Sequence, residues 1–258
     1  MPKFSAHLSF MFTELPFLER FEAAAKAGFK AVEYLSPFEA PKDEIAARLG
    51  QFGLTQALFN LAVGDQAAGE RGFAAIPGRE AEFEKSVAAS IDYAKALGCT
   101  RLHAMAGLKH QGANRATFVA NLKTAVQMCG PSGISVVIEP INTRDIPGYV
   151  LNLTEDARSI IHEVGGQHIG LQLDLYHRQI MQGDVAAAIR EYGPIVKHYQ
   201  IASPPDRGEP DEGELNYRFL FREIDRSGYT GWIGCEYRPR VSTLAGLGWP
   251  QRLGVTLA

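Results

Sequence analysis

Four oxygen-bearing side chains stand at the ends of apolar runs. Glu139 follows Ser135-Val136-Val137-Ile138, and Asp174 follows Leu171-Gln172-Leu173. Gln200 follows Lys197-His198-Tyr199, and Glu236 follows Trp232-Ile233-Gly234-Cys235. Runs rich in β-branched and aromatic residues read as buried strands, and Pro140 stops the first of them. A carboxylate at the buried end of a strand is costly without a partner. Four such ends, one strand–helix unit apart, imply a shared site. Three carboxylates gathered there would repel and titrate as a coupled group. A divalent cation relieves that repulsion, and carboxylate and amide oxygens suit the hard ions Mg²⁺ or Mn²⁺ better than zinc. Ion pairs with Arg or Lys would account for one such strand end, but not for four in one register.

Further chemistry-bearing residues lie close by in sequence. His177, three residues beyond Asp174, can bind a substrate oxygen, orient a ligand or face solvent. His103, in the fourth strand, fits a packed core histidine or a substrate contact. Arg207 sits in Pro205-Asp206-Arg207-Gly208-Glu209-Pro210, directly after the Gln200 strand. It can fork onto a substrate carboxylate, or it can solvate a turn flanked by Gly and Pro.

The elements that must position these residues alternate. Strands are expected at 4–10, 31–35, 55–61, 101–106, 135–139, 169–175, 195–201 and 232–237. Helices are expected at 15–28, from Pro41 to Gly53, at 80–97, 116–128, 154–164, 184–192 and 216–227, with Thr154 as an N-cap. Polar loops fill 62–78, 107–114 and 203–214. The first is long enough to read as a lid or substrate loop, or as a plain surface excursion. Eight strand–helix units in 258 residues match a (β/α)₈ TIM barrel, whose active site lies at the C-terminal ends of the strands. A doubly wound sheet is the alternative, but no Gly-rich turn follows the first strand. Side-chain parity favours the barrel. If Glu139, Asp174, Gln200 and Glu236 face inward, so do Val137, Gln172, His198 and Gly234. Ile138, Leu173, Tyr199, Ile201, Ile233 and Cys235 then face the helices. One domain is expected over 1–258, with an irregular tail from Arg238 that holds a short helix near Trp249 to Leu253.

Composition narrows the partners. The net charge is −3, with 26 basic and 29 acidic residues, so no nucleic-acid footprint is visible. No apolar run reaches the roughly 20 residues of a membrane span. Met1-Pro2-Lys3-Phe4 lacks the start of a signal peptide. Cys99, Cys129 and Cys235 lack metal-type spacing and read as reduced thiols. A cytoplasmic protein is expected, either monomeric or a homo-oligomer.

The ordered motifs add a resemblance. Glu139-Pro140-Ile141-Asn142, Asp174-Leu175-Tyr176-His177, His198-Tyr199-Gln200-Ile201-Ala202, Arg207-Gly208-Glu209-Pro210 and Gly234-Cys235-Glu236-Tyr237 are similar to those of the hydroxypyruvate isomerase family. So are Ala67-Ala68-Gly69-Glu70-Arg71-Gly72 and Ile76-Pro77-Gly78-Arg79-Glu80. The likeness runs from Phe4 to about Trp249. That family sits among the xylose isomerase-like barrels, beside ketose 3-epimerases and an AP endonuclease group, and it includes 2-oxo-tetronate isomerases. The resemblance implies metal ligands at Glu139, Asp174, Gln200 and Glu236, with Glu139 and Glu236 as the acid/base pair. It implies a small hydroxy-oxo acid or sugar as substrate, most simply hydroxypyruvate giving tartronate semialdehyde. Substrate contacts are expected at His177, Arg207, Glu209, His103 and Arg71. Ser36-Pro37-Phe38 departs from the family's Phe-Pro-Tyr, which bears on pocket shape. A nuclease would need several histidines and a basic groove. A non-catalytic sugar-acid binding protein would not need paired glutamates.

Overall fold

The computed structural model describes residues 2–257. Eight strands, β1 (Lys3–His7), β2 (Ala31–Tyr34), β3 (Thr55–Asn60), β4 (Arg101–His103), β5 (Ser135–Ile138), β6 (Ile169–Asp174), β7 (Val196–Ile201) and β8 (Trp232–Cys235), form a closed barrel in sequence order. The barrel closes through the parallel pairs Lys3↔Trp232 and Ala6↔Cys235. Between and after the strands run α1 (Arg20–Lys26), α2 (Lys42–Phe52), α3 (Glu80–Leu97), α4 (Arg115–Cys129), α5 (Thr154–Val164), α6 (Leu175–Met181), α7 (Val185–Tyr192), α8 (Tyr217–Arg226), α9 (Thr243–Gly246) and α10 (Trp249–Leu253). Ile138, Leu173, Tyr199, Ile201, Ile233 and Cys235 are buried, as helix-covered positions must be. The fold class expected from the alternation is the one observed.

The barrel interior departs from the usual filling of branched aliphatic side chains. Glu33 of β2 reaches across it and is fully buried. Its Oε2 accepts from Ser5 Oγ at 2.6 Å and lies 2.9 Å from His198 Nε2, while its Oε1 accepts from Gln200 Nε2 at 2.9 Å. Burial pushes the Glu33 carboxyl up. The charge and hydrogen bond of His198, helped by His7 and Ser5, outweigh burial and hold it at about 2. Room for this carboxylate comes from Gly234. A Cβ there would lie 2.1 Å from Glu33 Oε1.

Several elements differ from the sequence expectation, each for a local reason. The first strand ends at His7, whose carbonyl accepts from the amides of Phe10 and Met11 and turns the chain. The first helical stretch is a 3₁₀ turn, Phe17–Glu19, followed by α1. The fourth strand stops at His103. Thr154 is the first residue of α5, not its cap. Leu153 precedes it, and the Thr154 hydroxyl donates to Gln182 Oε1 at 3.1 Å. Helix α6 was not foreseen, and the tail carries two short helices, α9 and α10. The loop over 62–79 is folded on itself. Asp65 Oδ1 accepts from the amides of Ala67 and Ala68, and Gly72 bridges to Ala106.

Gly234 and Glu33 give a stability prediction. Gly234→Ala forces a methyl group against the Glu33 carboxylate, and overpacking of this kind costs about 1–3 kcal/mol. Equilibrium denaturation should show that loss, and an unchanged midpoint would mean that Glu33 does not fill the space beside Gly234.

Candidate active site

The site is built where β5, β6, β7 and β8 end. Glu139 follows the last residue of β5, Asp174 closes β6, Gln200 is the penultimate residue of β7, and Glu236 follows β8. Pairing sets their heights, because Asp174 registers with Gln200 and Gln200 with Gly234. One atom each from Glu139, Asp174, His177 and Glu236 fall within 4.8 Å of one another, and all four residues are buried. Glu139 Oε1 and Asp174 Oδ2 are buried without a hydrogen-bond partner. A buried carboxylate oxygen left unpartnered is expensive, and a hard cation would satisfy both at once. The donor set fits a divalent ion.

Gln200 lines the same cleft as Glu139 and Glu236. Its Oε1 accepts from Gln172 Nε2 at 2.6 Å, and its Nε2 is tied to Glu33. A carbonyl oxygen has two lone pairs, so one remains for an ion. The other Asp174 oxygen, Oδ1, accepts from Tyr176 N at 2.7 Å and caps α6. That helix turns the chain directly after the strand and brings His177 back over the cluster.

The tautomer of His177 follows from its neighbours. Asn142 Oδ1 accepts from the amides of Arg144 and Asp145, at 3.0 and 2.7 Å. Its Nδ2 therefore points at His177 Nδ1, 2.6 Å away, and donates to it. Nδ1 is the acceptor, so the proton sits on Nε2. That Nε2 is 3.7 Å from Asp174 Oδ2 and 4.0 Å from Glu139 Oε1. With Nδ1 filled by Asn142, His177 presents an N–H donor to the cleft. Burial, reinforced by Arg207, keeps its pKa well below the usual imidazole value.

Two more histidines flank the carboxylates. His7 Nε2 lies 3.5 Å from Glu236 Oε1, and His103 Nε2 lies 3.7 Å from Glu139 Oε2. Burial lowers them to about 4 and about 3, so both are neutral. Burial also raises the three carboxyls. Glu139 is held well above its usual value by burial and by Glu236 and Asp174, and Asp174 is pushed to about 7. Glu236 is raised by burial and drawn back down chiefly by Arg207.

Arg207 is the cation of this cluster. Its Nη2 donates to Glu236 Oε2 at 2.9 Å and its Nη1 to Asp145 Oδ2 at 3.1 Å. The guanidinium lies between the rings of Phe10 and Tyr176, 5.3 and 5.0 Å from their centroids. The fork expected to be free for a substrate carboxylate is thus committed to protein carboxylates.

His103, His177, Arg71, Arg207, Glu139 and Glu236 line one cleft of about 310 Å³, at the small end of ligand pockets. Glu209 is placed elsewhere. Its carboxylate accepts from the backbone and guanidinium of Arg240, so the substrate contact expected for it is not available. Sequence reasoning missed Glu33, Asn142 and Asp145. Only Asn142 carried a signal, its place in the Glu139-Pro140-Ile141-Asn142 motif.

Comparison with known proteins agrees with this architecture. The family model described as xylose isomerase-like TIM barrel matches residues 21–253. The 2-oxo-tetronate isomerase of Cupriavidus necator is 53% identical over 96% of this chain and 97% of its own. The hydroxypyruvate isomerase of Escherichia coli is 45% identical over 96% of this chain and 98% of its own. A crystal structure described as AP endonuclease, family 2, from Brucella melitensis superposes with a TM-score of 0.95 at 50% identity, covering 98% of this chain and 99% of that one. The chain belongs to the xylose isomerase-like TIM barrel family, and it is an isomerase.

Proposed function

We propose that the chain moves a carbonyl between neighbouring carbons of a small 2-oxo hydroxy acid, using Glu139 and Glu236 as a proton-transfer pair. The observation that carries this reading is the buried cluster of Glu139, Asp174, His177 and Glu236 at one end of the barrel. The 53% identity to a 2-oxo-tetronate isomerase, against 45% to a hydroxypyruvate isomerase, favours the four-carbon acid over the three-carbon acid expected from sequence. The chemistry is the same for both. A proton leaves C3, a proton arrives at C2, and the hydroxyl proton on O3 ends on O2.

The residues divide that work. A carbon acid beside a carbonyl is weak, so the enediolate needs its charge met as it forms. A divalent cation held by Glu139, Asp174, Gln200 and Glu236, taken here as Mg²⁺ or Mn²⁺, would polarise the carbonyl and carry part of that charge. His177 donates its Nε2 proton in a hydrogen bond to a substrate oxygen. One glutamate takes the C3 proton and the other delivers one to C2. Arg207 holds Glu236 by its 2.9 Å bond and keeps that carboxylate oriented. The buried walls exclude water, which would otherwise quench the carbanion. The three cysteines are buried and free, in keeping with a reducing, cytoplasmic setting. No helix among the described residues is long and apolar enough to cross a membrane.

Three outcomes test this reading. The panel that identifies the substrate is turnover of 2-oxo-tetronate, hydroxypyruvate and neutral ketoses by protein loaded with Mg²⁺ or Mn²⁺. Turnover of ketoses alone would sink the acid assignment.

Glu139→Gln and Glu236→Gln should each lose roughly 10²–10⁴-fold in kcat. Metal content must be measured on both variants. Near-native turnover in either one with metal bound would remove that glutamate from the proton path.

Metal removal should show a particular pH dependence. Asp174 is raised from 3.8 to about 7. Between those values the folded chain binds a proton that the unfolded chain has lost. The stability of the metal-free protein therefore falls as pH rises across that window. The cation needs the ionised carboxylates, so its stabilisation grows over the same window. Added Mg²⁺ or Mn²⁺ should raise Tm more at about pH 8 than at about pH 5. Equal shifts at both pH values would contradict the proposed ligand set.

A further inference from the structure

We propose that Arg71 binds the substrate carboxylate and so selects acids over neutral sugars, an inference that rests on reading the site as one for small 2-oxo acids. In a closed eight-stranded barrel, β3 lies across from β7. The loop that follows β3 therefore faces the strands that carry the carboxylate cluster. Asn60, Gln66 and Arg71 from this side line the same cleft as Glu139 and Glu236.

The loop is built to hold Arg71 in place. On one side, Glu70 accepts from Asp65 N at 2.7 Å and pairs with Arg79. On the other, Gly72 has φ +92° and presses on the backbone just beyond β4, where a Cβ would lie 2.3 Å from Met105 O. Arg71 is thus fixed between two pinned residues. Its Nη1 donates to the carbonyls of Glu70 and Gln66, at 2.6 and 3.2 Å. Those partners are neutral. Among the described residues no carboxylate pairs with Arg71, so its charge is uncompensated and its Nε and Nη2 are available to a ligand.

The other cations of the cleft are less suited. Arg207 has both ends of its fork on Asp145 and Glu236. Releasing either one would leave a carboxylate without its counter-charge. Arg238 lines the mouth but is exposed, and an exposed ion pair contributes little. Arg71 is half-buried, where a forked, charge-assisted pair is stronger. The substrate carboxylate, C1, is bonded to C2, one of the two reacting carbons. Anchoring C1 on the Arg71 wall turns C2 and C3 toward the glutamates.

The test compares metal-loaded wild type, Arg71→Ala, Arg71→Lys, Glu70→Gln and Arg238→Ala. Binding of D-glycerate and of its neutral amide is measured by calorimetry, and kinetics are run on 2-oxo-tetronate and hydroxypyruvate. Arg71→Ala should lose roughly 10- to 150-fold in kcat/KM, mostly through KM, and should lose the preference for glycerate over the amide. Arg71→Lys keeps the charge without the fork and should fall between. Glu70→Gln loosens the loop but keeps the cation, so it should weaken both ligands alike and retain the preference. The inference is overturned if wild type shows no preference for glycerate, if Arg71→Ala retains it, or if Arg238→Ala abolishes it instead. A wild type that turns over neither acid defeats the functional reading, while the glycerate comparison still reports on Arg71.

Discussion

Like charges forced together in a buried place set the terms for this molecule. Barrel closure carries Glu139, Asp174 and Glu236 to one spot, and their burial removes the water that would screen them. The raised Glu139 and Asp174 carboxyls are a direct consequence. Arg207 compensates part of the charge from a constrained position. Its backbone has φ +57°, a left-handed conformation that disfavours a side chain. The bridge between Ser203 and Gly208 brackets it, and Arg238 N donates to its carbonyl at 2.7 Å. Two aromatic rings and two carboxylates then hold the guanidinium. Strain of about 1–3 kcal/mol persists only where the surroundings over-determine it, and here they do.

Below the cluster lies a second polar storey that keeps the first in order. Glu33 is the hub. It fixes the amide of Gln200 by accepting from Nε2, which turns the amide oxygen away from β2 toward Gln172. It also takes His198 and Ser5, so three strands, β1, β2 and β7, are tied together inside the barrel by one carboxylate. An aliphatic layer would pack there at lower risk, because a half-satisfied polar network is worse than none. The benefit is orientation: the side chains beneath the site have one hydrogen-bonding arrangement open to them. Asn142 does the same from above for His177.

Much of this was legible in sequence, and the failures are instructive. Eight strands and the strand-end positions of Glu139, Asp174, Gln200 and Glu236 followed from apolar runs and parity, since those are local signals. The family likeness rested on ordered motifs and agrees with the relatives found. Glu33 was invisible because Ala31-Val32-Glu33-Tyr34 places a charge at mid-strand, where alternation reads as an ordinary polar face. Its partners lie 28, 165 and 167 residues away in sequence. Helix α6 escaped because Asp174 is both the last strand residue and the helix cap, leaving no turn residues between them. Glu209 was misplaced because motif membership says nothing of direction. The left-handed backbone at Arg207 breaks the alternation after β7, and Glu209 then meets Arg240.

The two halves of the barrel mouth carry different burdens. In the proposed reaction, strands β5 to β8 hold the groups that move protons and meet developing charge, and these must sit on rigid strand ends to act at bonding distance. The long loop after β3 touches none of that chemistry. A proton shift between C2 and C3 requires only a carbonyl and a neighbouring hydroxyl, so the carboxylate cluster cannot by itself tell an acid from a ketose. An acid brings one more negative charge to a site already rich in them, so electrostatics decides admission. In the proposed role of Arg71, a cation opposite the cluster makes the acid welcome, and removing it would make the same charge repulsive. With Arg71 as the proposed carboxylate anchor, substrate choice resides in a loop that can change without disturbing the strands, which is how one barrel can keep its chemistry while altering what it admits.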